Sequence, residues 1–386
     1  MKHKILFILH YPPPIHGAAV IGGFIKKSGY INSIYDCRFV NLGVSKSIND
    51  IGRSSIRKLI SYFSLVWQVK KQLITFKPEL CYLTPTSAGS GFYKDDLIIA
   101  IVKLFGVKTV FHYHNKGIST RQGRFLDDLL YKFVFRNTYV ILLSKHLYTD
   151  INKYVPEKRV FYCPNGIPNL GGSEGTHSEH SELKETMNQR KIVQNEVAHS
   201  KFVEILFLSH LIHSKGILIL IDACKILRER GTEFHCGLAG GDGEITRQEV
   251  EDIIIKKGLA SFIFVTGPVD GLEKAELMKR AGIFVHPSYN DCLPLVLLEA
   301  MQYSLPVVST FEGAIPEVVE EGITGFLVPQ KDAKALADKL ELLIKDTELR
   351  KKMGSAGRAR YEKKFTLDKF EKRMIEILGE VMNGNK

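Results

Sequence analysis

Short apolar runs alternate with longer amphipathic stretches along nearly the whole chain. In the first half, the runs have the composition of buried β-strands, and the stretches between them repeat apolar residues at helical spacing. The predicted strands cover residues 5–9, 37–41, 80–84, 109–113, 139–143 and 160–163, and the predicted helices cover residues 17–28, 57–76, 91–105 and 124–135. This alternation is typical of a parallel sheet with helices on both faces.

A polar, Gly- and Ser-rich stretch interrupts the alternation at residues 169–200, and we interpret it as a linker. The alternation then resumes, with strands predicted at residues 204–209, 235–239, 262–265, 283–286 and 307–309, helices at 217–230, 246–257, 274–280 and 294–302, and a final amphipathic helix near 367–381. We therefore predict an α/β fold of two Rossmann-like domains, residues 1–168 and 201–365, facing a cleft. The C-terminal segment 366–386 is predicted to cross back to the first domain.

Length and composition support this division. A chain of 386 residues is too long for one ordinary core, and 45% hydrophobic and 25% charged residues are typical of soluble globular proteins. The apolar run at residues 5–9 ends at three prolines, so we interpret it as a buried strand rather than a leader, and no run approaches the ~20 residues that span a bilayer. The six cysteines lack metal or disulfide spacing, which favours reduced thiols in a cytoplasmic protein.

Charge is distributed unevenly. Residues 1–168 contain 24 Lys and Arg against 9 Asp and Glu, whereas the remaining residues have an acidic excess of four. A basic amphipathic stretch stands out within the first half, in which Arg53, Arg57, Lys58, Lys70 and Lys71 surround Ile56, Leu59, Ile60, Phe63, Trp67 and Leu73. This stretch has two readings, peripheral attachment to an anionic membrane on the inner face of the cell membrane or an ordinary core-facing helix with a charged outer face. No nucleic-acid reading module is recognisable, so nucleic-acid binding is not expected.

The segment HPSYNDCLPLVLLEAMQYSLPVVST, residues 286–310, contains the strongest chemical signal. Asp291 and Glu299 are eight residues apart, with Pro294 opening the intervening helix. A carboxylate can accept hydrogen bonds from two vicinal hydroxyls, so this pair suits a ribose and a sugar. The amides near Leu293, at a helix N-terminus, suit a diphosphate. By themselves, Asp291 and Glu299 are more often a surface acid and a capping acid.

The same segment resembles the E-x7-E signature of glycosyltransferase family 4, and the similarity extends to PPPIHGAAV near the start, to Pro164-Asn165-Gly166 and to residues 240–243. The resemblance implies the GT-B fold, retaining and metal-independent sugar transfer, no cofactor, and a role in bacterial polysaccharide biosynthesis. It implies that Glu299 binds the ribose and that Asp291, where the family has Glu, contacts the donor sugar. Donor contacts are likewise implied for Cys292, Leu293, Pro294 and Leu295.

Further motifs extend this resemblance. Residues 209–216 resemble the family's G-R-L-x-x-x-K-G, which implies that Lys215 neutralises the departing diphosphate and that His210 replaces the usual Arg. Gly17 and Ala18 open the first helix, where small residues admit phosphate oxygens, although tight packing explains them equally well.

Histidines, a glycine and two aspartate pairs are further candidates outside these motifs. The resemblance implies that His114, at a strand end, faces the reacting sugar; His112 points the same way, and either histidine could instead belong to the core. Gly267 lies where similar enzymes read the base. The aspartate pairs at 95–96 and 127–128 fall in helical patterns, and we interpret them as solvated faces rather than metal ligands.

The expected substrates are a nucleotide-sugar donor, with UDP chosen because such donors prevail in the family, and a glycan or polyprenyl-diphosphate-linked glycan acceptor. Two alternatives remain at this point. The chain could be a non-catalytic nucleotide-sugar-binding protein of the same fold, which the departures at His210 and Asp291 would suit. It could also perform another GT-B reaction, such as sugar-nucleotide epimerisation or phosphorolysis.

Overall fold

The computed structural model describes residues 2–43, 56–169 and 202–384. The first unit is a parallel six-stranded sheet of order β2-β1-β3-β4-β5-β6. Its strands are β1 (Lys4–Leu9), β2 (Asp36–Asn41), β3 (Leu80–Leu83), β4 (Lys108–Tyr113), β5 (Thr138–Leu142) and β6 (Val160–Tyr162). Its helices are α1 (Gly17–Lys27), α2 (Gly29–Ile34), α3 (Ile56–Thr75), α4 (Ser90–Leu104) and α5 (Phe125–Phe135).

The second unit is also a parallel six-stranded sheet, of order β12-β11-β10-β7-β8-β9. Its strands are β7 (Val203–Leu208), β8 (Phe234–Ala239), β9 (Ile263–Gly267), β10 (Ile283–His286), β11 (Val307–Thr310) and β12 (Gly325–Val328). Its helices are α6 (Ile217–Glu229), α7 (Arg247–Lys256), α8 (Gly271–Arg280), α9 (Leu295–Gln302), α10 (Ile315–Val318), α11 (Ala333–Lys345) and α12 (Thr347–Lys364). The predicted α/β fold with two parallel sheets is confirmed.

Alternating side chains of the first sheet enter two separate cores. Leu6 and Ile8 pack with α3, α4 and α5 on one face, whereas Ile5 and Phe7 pack with α1 on the other. Strands covered on both faces are apolar throughout, which explains why the strand signal in the sequence was a continuous apolar run rather than a strict alternation.

The last helix, α13 (Leu367–Asn383), completes the core of the first unit. Phe370, Met374 and Ile377 are buried against that sheet, and the Tyr35 hydroxyl donates to the carbonyl of Ile375 at 3.1 Å. The predicted crossing of the C-terminal segment is therefore confirmed. The crossing passes close to Gly166, where a Cβ atom would lie 2.5 Å from the carbonyl oxygen of Thr366, so a side chain cannot fit there.

One sequence interpretation was wrong. Asp95, Asp96 and Asp127 are buried rather than solvated, because they occupy the sides of α4 and α5 that face the protein interior. The backbone amide of Thr86 donates to Asp95 at 2.8 Å, and the Tyr93 hydroxyl donates to Asp127 across the two helices. Asp127 thus links α4 to α5, and Asp95 holds the loop that precedes α4.

Several elements were not predicted, namely α2, β12 and the helices α10 to α12, and the boundaries of the predicted elements differ from the observed ones by a few residues. Of the predicted linker at 169–200, residues 170–200 lie outside the described residues, so that prediction and the domain limits stay untested. Across the described ranges, no helix is both long and apolar enough to cross a membrane.

Candidate functional site

A cleft of about 1220 Å³ lies between the two units. Its walls come from residues that directly follow strands of both sheets, including His10 after β1, His114 after β4 and Ser209 after β7. In both sheets the chain reverses its direction of winding beside the first strand, at β1/β3 and β7/β10. Ligands of open α/β sheets bind at this position, beyond the carboxyl ends of the strands.

Lys215 and Asp291 form an ion pair on the second-unit wall, with 2.7 Å between the Lys215 ammonium nitrogen and Asp291 Oδ2. His286 Nε2 donates to the same oxygen at 3.0 Å. Burial raises the pKa of Asp291, but the hydrogen bond from His286 and the electrostatic interactions with His286 and Lys215 outweigh this effect and lower the pKa to about 2. The carboxylate therefore stays ionised at neutral pH and holds the ammonium group at the cleft.

Gly216 brings Lys215 to this position. Its φ of +81° is in the left-handed region that favours glycine, and a Cβ atom there would lie 2.1 Å from the carbonyl oxygen of Pro287. The chain can therefore pack the turn before α6 against the loop after β10. This close contact requires glycine directly after Lys215.

The predicted donor loop, Cys292 to Leu295, lines the cleft and leads into α9. The first amides of a helix have no partner within the helix, so they can bind an anionic group. Gly313 packs beneath the loop, and the amide of Ala314 donates to the carbonyl of Cys292 at 2.7 Å. These contacts hold the loop in place without using the first-turn amides of α9.

Glu299 and Gly267 lie next to the cleft but do not line it. The Glu299 carboxylate is paired with the Lys274 ammonium at 2.6 Å, and each side chain is about a quarter exposed. Pro268 and Val269, which follow Gly267, do line the cleft. A ribose that reaches Glu299 must therefore share or replace the Lys274 contact.

On the first-unit wall, Gly17 and Ala18 line the cleft at the start of α1. No atom lies within 4 Å of the position that a Gly17 Cβ would take, so tight packing does not account for this glycine. His16 caps the helix, with its Nδ1 atom accepting from the amide of Ala19 at 3.3 Å. The wall thus offers open space beside a helix start.

The two histidines of β4 and its end have different environments. His112 is fully buried and its Nδ1 atom lies 2.6 Å from the Tyr82 hydroxyl, so it is a core residue. His114 lines the cleft, beside Asn165. Burial, followed by the charge of His16, lowers the pKa of His114 to about 4, while the neighbouring Asn165 side chain acts in the opposite direction.

His10 also lines the cleft, and sequence analysis missed it although it directly follows β1. Burial, followed by the charges of Lys94, His16 and His114, lowers its pKa to about 3. His10 and His114 are therefore neutral near pH 7. Each can donate one hydrogen bond to a sugar hydroxyl without adding a charge.

These two histidines predict how stability depends on pH. Both have pKa values below the ordinary 6.5, so the unfolded chain binds more protons between about pH 6.5 and pH 4, and stability falls as the pH drops through that window. We expect a loss of about 2 kcal/mol per histidine at pH 5. Melting temperatures at pH 7.5 and pH 5 should differ less for His114→Gln than for wild type. An exposed-histidine control, His213→Gln, should retain the wild-type difference, and equal differences for all three proteins would contradict the assignment.

A second ion pair, between Lys116 and Glu312, joins the two units outside the lining of the cleft. Glu312 is only 4% exposed, and it also accepts the amide of Asp291 at 3.0 Å and the side chain of Gln330 at 2.6 Å. On the other side, Asp150 holds the loop that carries Lys116 by accepting the amide of Gly117 at 2.9 Å. No sequence motif indicated this contact, because its partners are far apart in the chain and belong to different units.

His210 lines the cleft and its side chain is exposed, at the position where the resemblance led us to expect Arg. Among the residues described as lining the cleft, the lysines are Lys94 and Lys215, one from each unit. Lys94 is anchored by Asp95 at 3.4 Å. Positive charge thus reaches the cleft from both walls, although His210 has no guanidinium group.

Known glycosyltransferases are similar to this chain in sequence, above all in the second unit. Residues 188–360 match the family model Glycosyl transferases group 1. The match covers the second unit, including Lys215, Asp291 and Glu299. The chain is similar to the Staphylococcus aureus capsular polysaccharide biosynthesis glycosyltransferase CapM, with 26% identity over 81% of this chain and 80% of CapM. It is also similar to the amylovoran biosynthesis glycosyltransferase AmsK of Erwinia amylovora, with 31% identity over 46% of this chain and 44% of AmsK.

Four curated relatives, AmsK among them, are matched over only 35–44% of their own lengths and over 36–46% of this chain. The fold similarity covers the whole chain. The crystal structure of Anabaena HepE in complex with UDP superposes with a TM-score of 0.72 at 20% sequence identity, over 98% of this chain and 100% of HepE. The architecture is the GT-B fold of glycosyltransferases.

Proposed function

We propose that this chain is a retaining, metal-independent glycosyltransferase that moves a sugar from a UDP-sugar to a hydroxyl group of a glycan acceptor. One observation carries the proposal. The Lys215–Asp291 ion pair and the N-terminus of α9 form one wall of a cleft whose opposite wall presents His114, and the residues of that first wall lie within the segment that matches the glycosyltransferase model.

The donor diphosphate fits the second-unit wall. Its negative charge increases as the bond to the sugar breaks, so a fixed ammonium group and helix amides stabilise the transition state more than the ground state. Lys215 supplies the ammonium group, and Asp291 positions it. In this proposal the positive charge of Lys215 takes the place of a metal ion.

The bond between the anomeric carbon and the diphosphate oxygen breaks, and the acceptor oxygen forms its new bond on the same face of the sugar. The acceptor proton passes to an oxygen of the departing phosphate, so no enzyme carboxylate is needed as a base. Neutral His114 donates a hydrogen bond to the sugar and adds no charge that would compete with Lys215 for the diphosphate. His210 is a further donor at the diphosphate.

Support for a UDP donor and a glycan acceptor comes from the similar proteins. HepE was crystallised with UDP, with UDP and glucose, and with UDP-glucose. CapM and AmsK are named for capsular polysaccharide and amylovoran biosynthesis. We infer that the protein acts in the cytoplasm, because that is where it would meet the nucleotide sugars that this cleft would bind.

Product stereochemistry tests the reaction class. With an α-linked UDP-sugar and an acceptor, NMR should show an α-linked product, and the rate should be unchanged by EDTA. A β-linked product would reject the retaining mechanism. Turnover of donor without any acceptor would instead indicate an epimerase, and turnover that requires inorganic phosphate would indicate a phosphorylase.

A further inference from the structure

Three neighbouring helices of the first unit carry apolar stripes that point away from the core. Large exposed apolar side chains occur on α3 at Ile60, Phe63, Trp67 and Ile74, on α4 and its end at Tyr93, Leu97, Leu104 and Phe105, and on α5 at Phe125, Leu126, Leu129 and Phe133. These twelve residues, which we call the apolar face, are more than half of the large apolar side chains exposed in the described ranges. Single exposed apolar residues are normal, but a concentration of them marks an interaction site.

The geometry of α3 decides between the two readings of its sequence. The buried stripe is Leu65, Val69 and Leu73, and the exposed stripe containing Phe63 and Trp67 lies on the outer side. Phe63 is 62% and Trp67 66% exposed. An ordinary core-facing helix with only a charged outer face is therefore excluded for residues 60–75. Arg53 lies outside the described residues, as do the side chains of residues 56–59.

The charges around the apolar face are positive. Exposed basic residues border the stripes, namely Lys70 and Lys71 on α3 and Arg124, Lys132 and Arg136 at α5. The sequence of α3 contains no acidic residue. The acids of α4 and α5 point inward, with Asp95, Asp96 and Asp127 buried, and Asp128 is paired with Lys132 at 2.7 Å. The combination of aromatic side chains, a basic border and inward acids complements an anionic lipid surface.

The apolar face begins at the rim of the cleft. Tyr62 on α3 and Ser90, Gly91 and Lys94 on α4 line the cleft, while Phe63 next to Tyr62 points outward and Tyr93 next to Lys94 is about half exposed. An acceptor whose lipid tail stays in a membrane could therefore present its head group to the cleft between α3 and α4.

We propose that the apolar face of α3, α4 and α5 docks on an anionic membrane and that the first-unit rim of the cleft receives a lipid-linked acceptor from that surface. The acceptor part rests on the proposed glycosyltransferase function, whereas the docking part does not. Docking by three helices differs from docking by α3 alone, because it requires Phe125 and Leu129 on α5 as well. The first unit would then contact the membrane, and the second unit would be held away from it.

Trp67 is the single tryptophan of the chain and lies in the apolar face, so its fluorescence reports docking directly. With the full chain, emission should shift to shorter wavelength on adding vesicles of phosphatidylcholine mixed with phosphatidylglycerol, and should not shift with phosphatidylcholine alone. Brominated lipids should quench it. Absence of any shift with anionic vesicles would overturn the proposal.

Variants separate the possible occupants of the apolar face. Phe125→Ser with Leu129→Ser should weaken vesicle binding at least tenfold, and Phe63→Ser should also weaken it, while the control Ile255→Ser with Leu342→Ser, at exposed apolar positions of the second unit, should not. Unchanged binding by the α5 variant would overturn the three-helix surface. A solution dimer that the α5 variant dissociates, with no vesicle binding by wild type, would show that a second copy covers the face.

Donor binding distinguishes failure of docking from failure of the proposed function. The α5 variant should retain the wild-type thermal shift with UDP-sugar and its activity on a short water-soluble acceptor, but lose activity on a lipid-linked acceptor in vesicles. Equal activity of wild type and variant on the lipid-linked acceptor would refute delivery from the membrane while leaving glycosyl transfer intact.

Discussion

Replacing Lys215 with methionine is expected to lower kcat for sugar transfer by about 10²–10³-fold, the usual cost of removing one group that stabilises transition-state charge. Methionine keeps much of the side-chain length but removes the ammonium group that contacts Asp291 at 2.7 Å. Because the diphosphate gains charge as the sugar leaves, the effect should fall on kcat more than on KM.

Matched controls make this result specific to the cleft. Lys257→Met breaks another Lys–Asp ion pair of 2.7 Å, with Asp222, at a partly exposed site outside the cleft, and should leave kcat within about twofold of wild type. Lys215→Arg should recover part of the activity because it restores the charge. The role of Lys215 would be refuted if its methionine variant folded, melted like the control and retained full kcat.

The second large effect is expected for Glu299→Ala, which should weaken UDP-sugar binding by about 10–100-fold. Hydrogen bonds to a charged group contribute about 1.5–3 kcal/mol, and a ribose diol can make two of them to one carboxylate. Because Lys274 holds this carboxylate at 2.6 Å in the unliganded protein, the donor must exchange one partner for another. Glu299→Gln should fall between alanine and wild type.

A thermal-shift screen with UDP-, GDP- and ADP-sugars measures this effect and identifies the base. The nucleotide that stabilises wild type should stabilise Glu299→Ala much less, since stabilisation follows the ratio of ligand concentration to Kd. Glu276→Ala is the control, because Glu276 also pairs with a lysine at 2.7 Å but on the exposed side of α8. If Glu299→Ala and wild type shifted equally with every donor, the ribose assignment would be wrong.

Much of the fold could be predicted from the sequence because each buried strand is a short apolar run and each helix has an amphipathic period. The same rule placed His114 directly after one strand and the segment with Lys215 after another, and both line one cleft. Periodicity could not show that Asp95 and Asp127 lie between helices, since an inward acid and an outward acid have the same spacing. That required the packing of α4 on α5.

The contacts between the units were outside the reach of sequence reasoning. Lys116 and Glu312 are almost 200 residues apart, and each alone is typical of a solvated loop. The sequence did not reveal the pairing of Lys274 with Glu299 either, because the two residues lie on separate helices, α8 and α9. Local patterns predict elements and their ends, whereas these pairs depend on how the elements are assembled.

The path of α13 sets the order in which the chain can finish folding on the ribosome. Phe370, Met374 and Ile377 belong to the core of the first unit, although they are made after the whole second unit. Domains usually fold in the order of their synthesis. Here the second unit can complete its core first, and the first unit must wait, with part of one face of its sheet uncovered, until synthesis has passed residue 383.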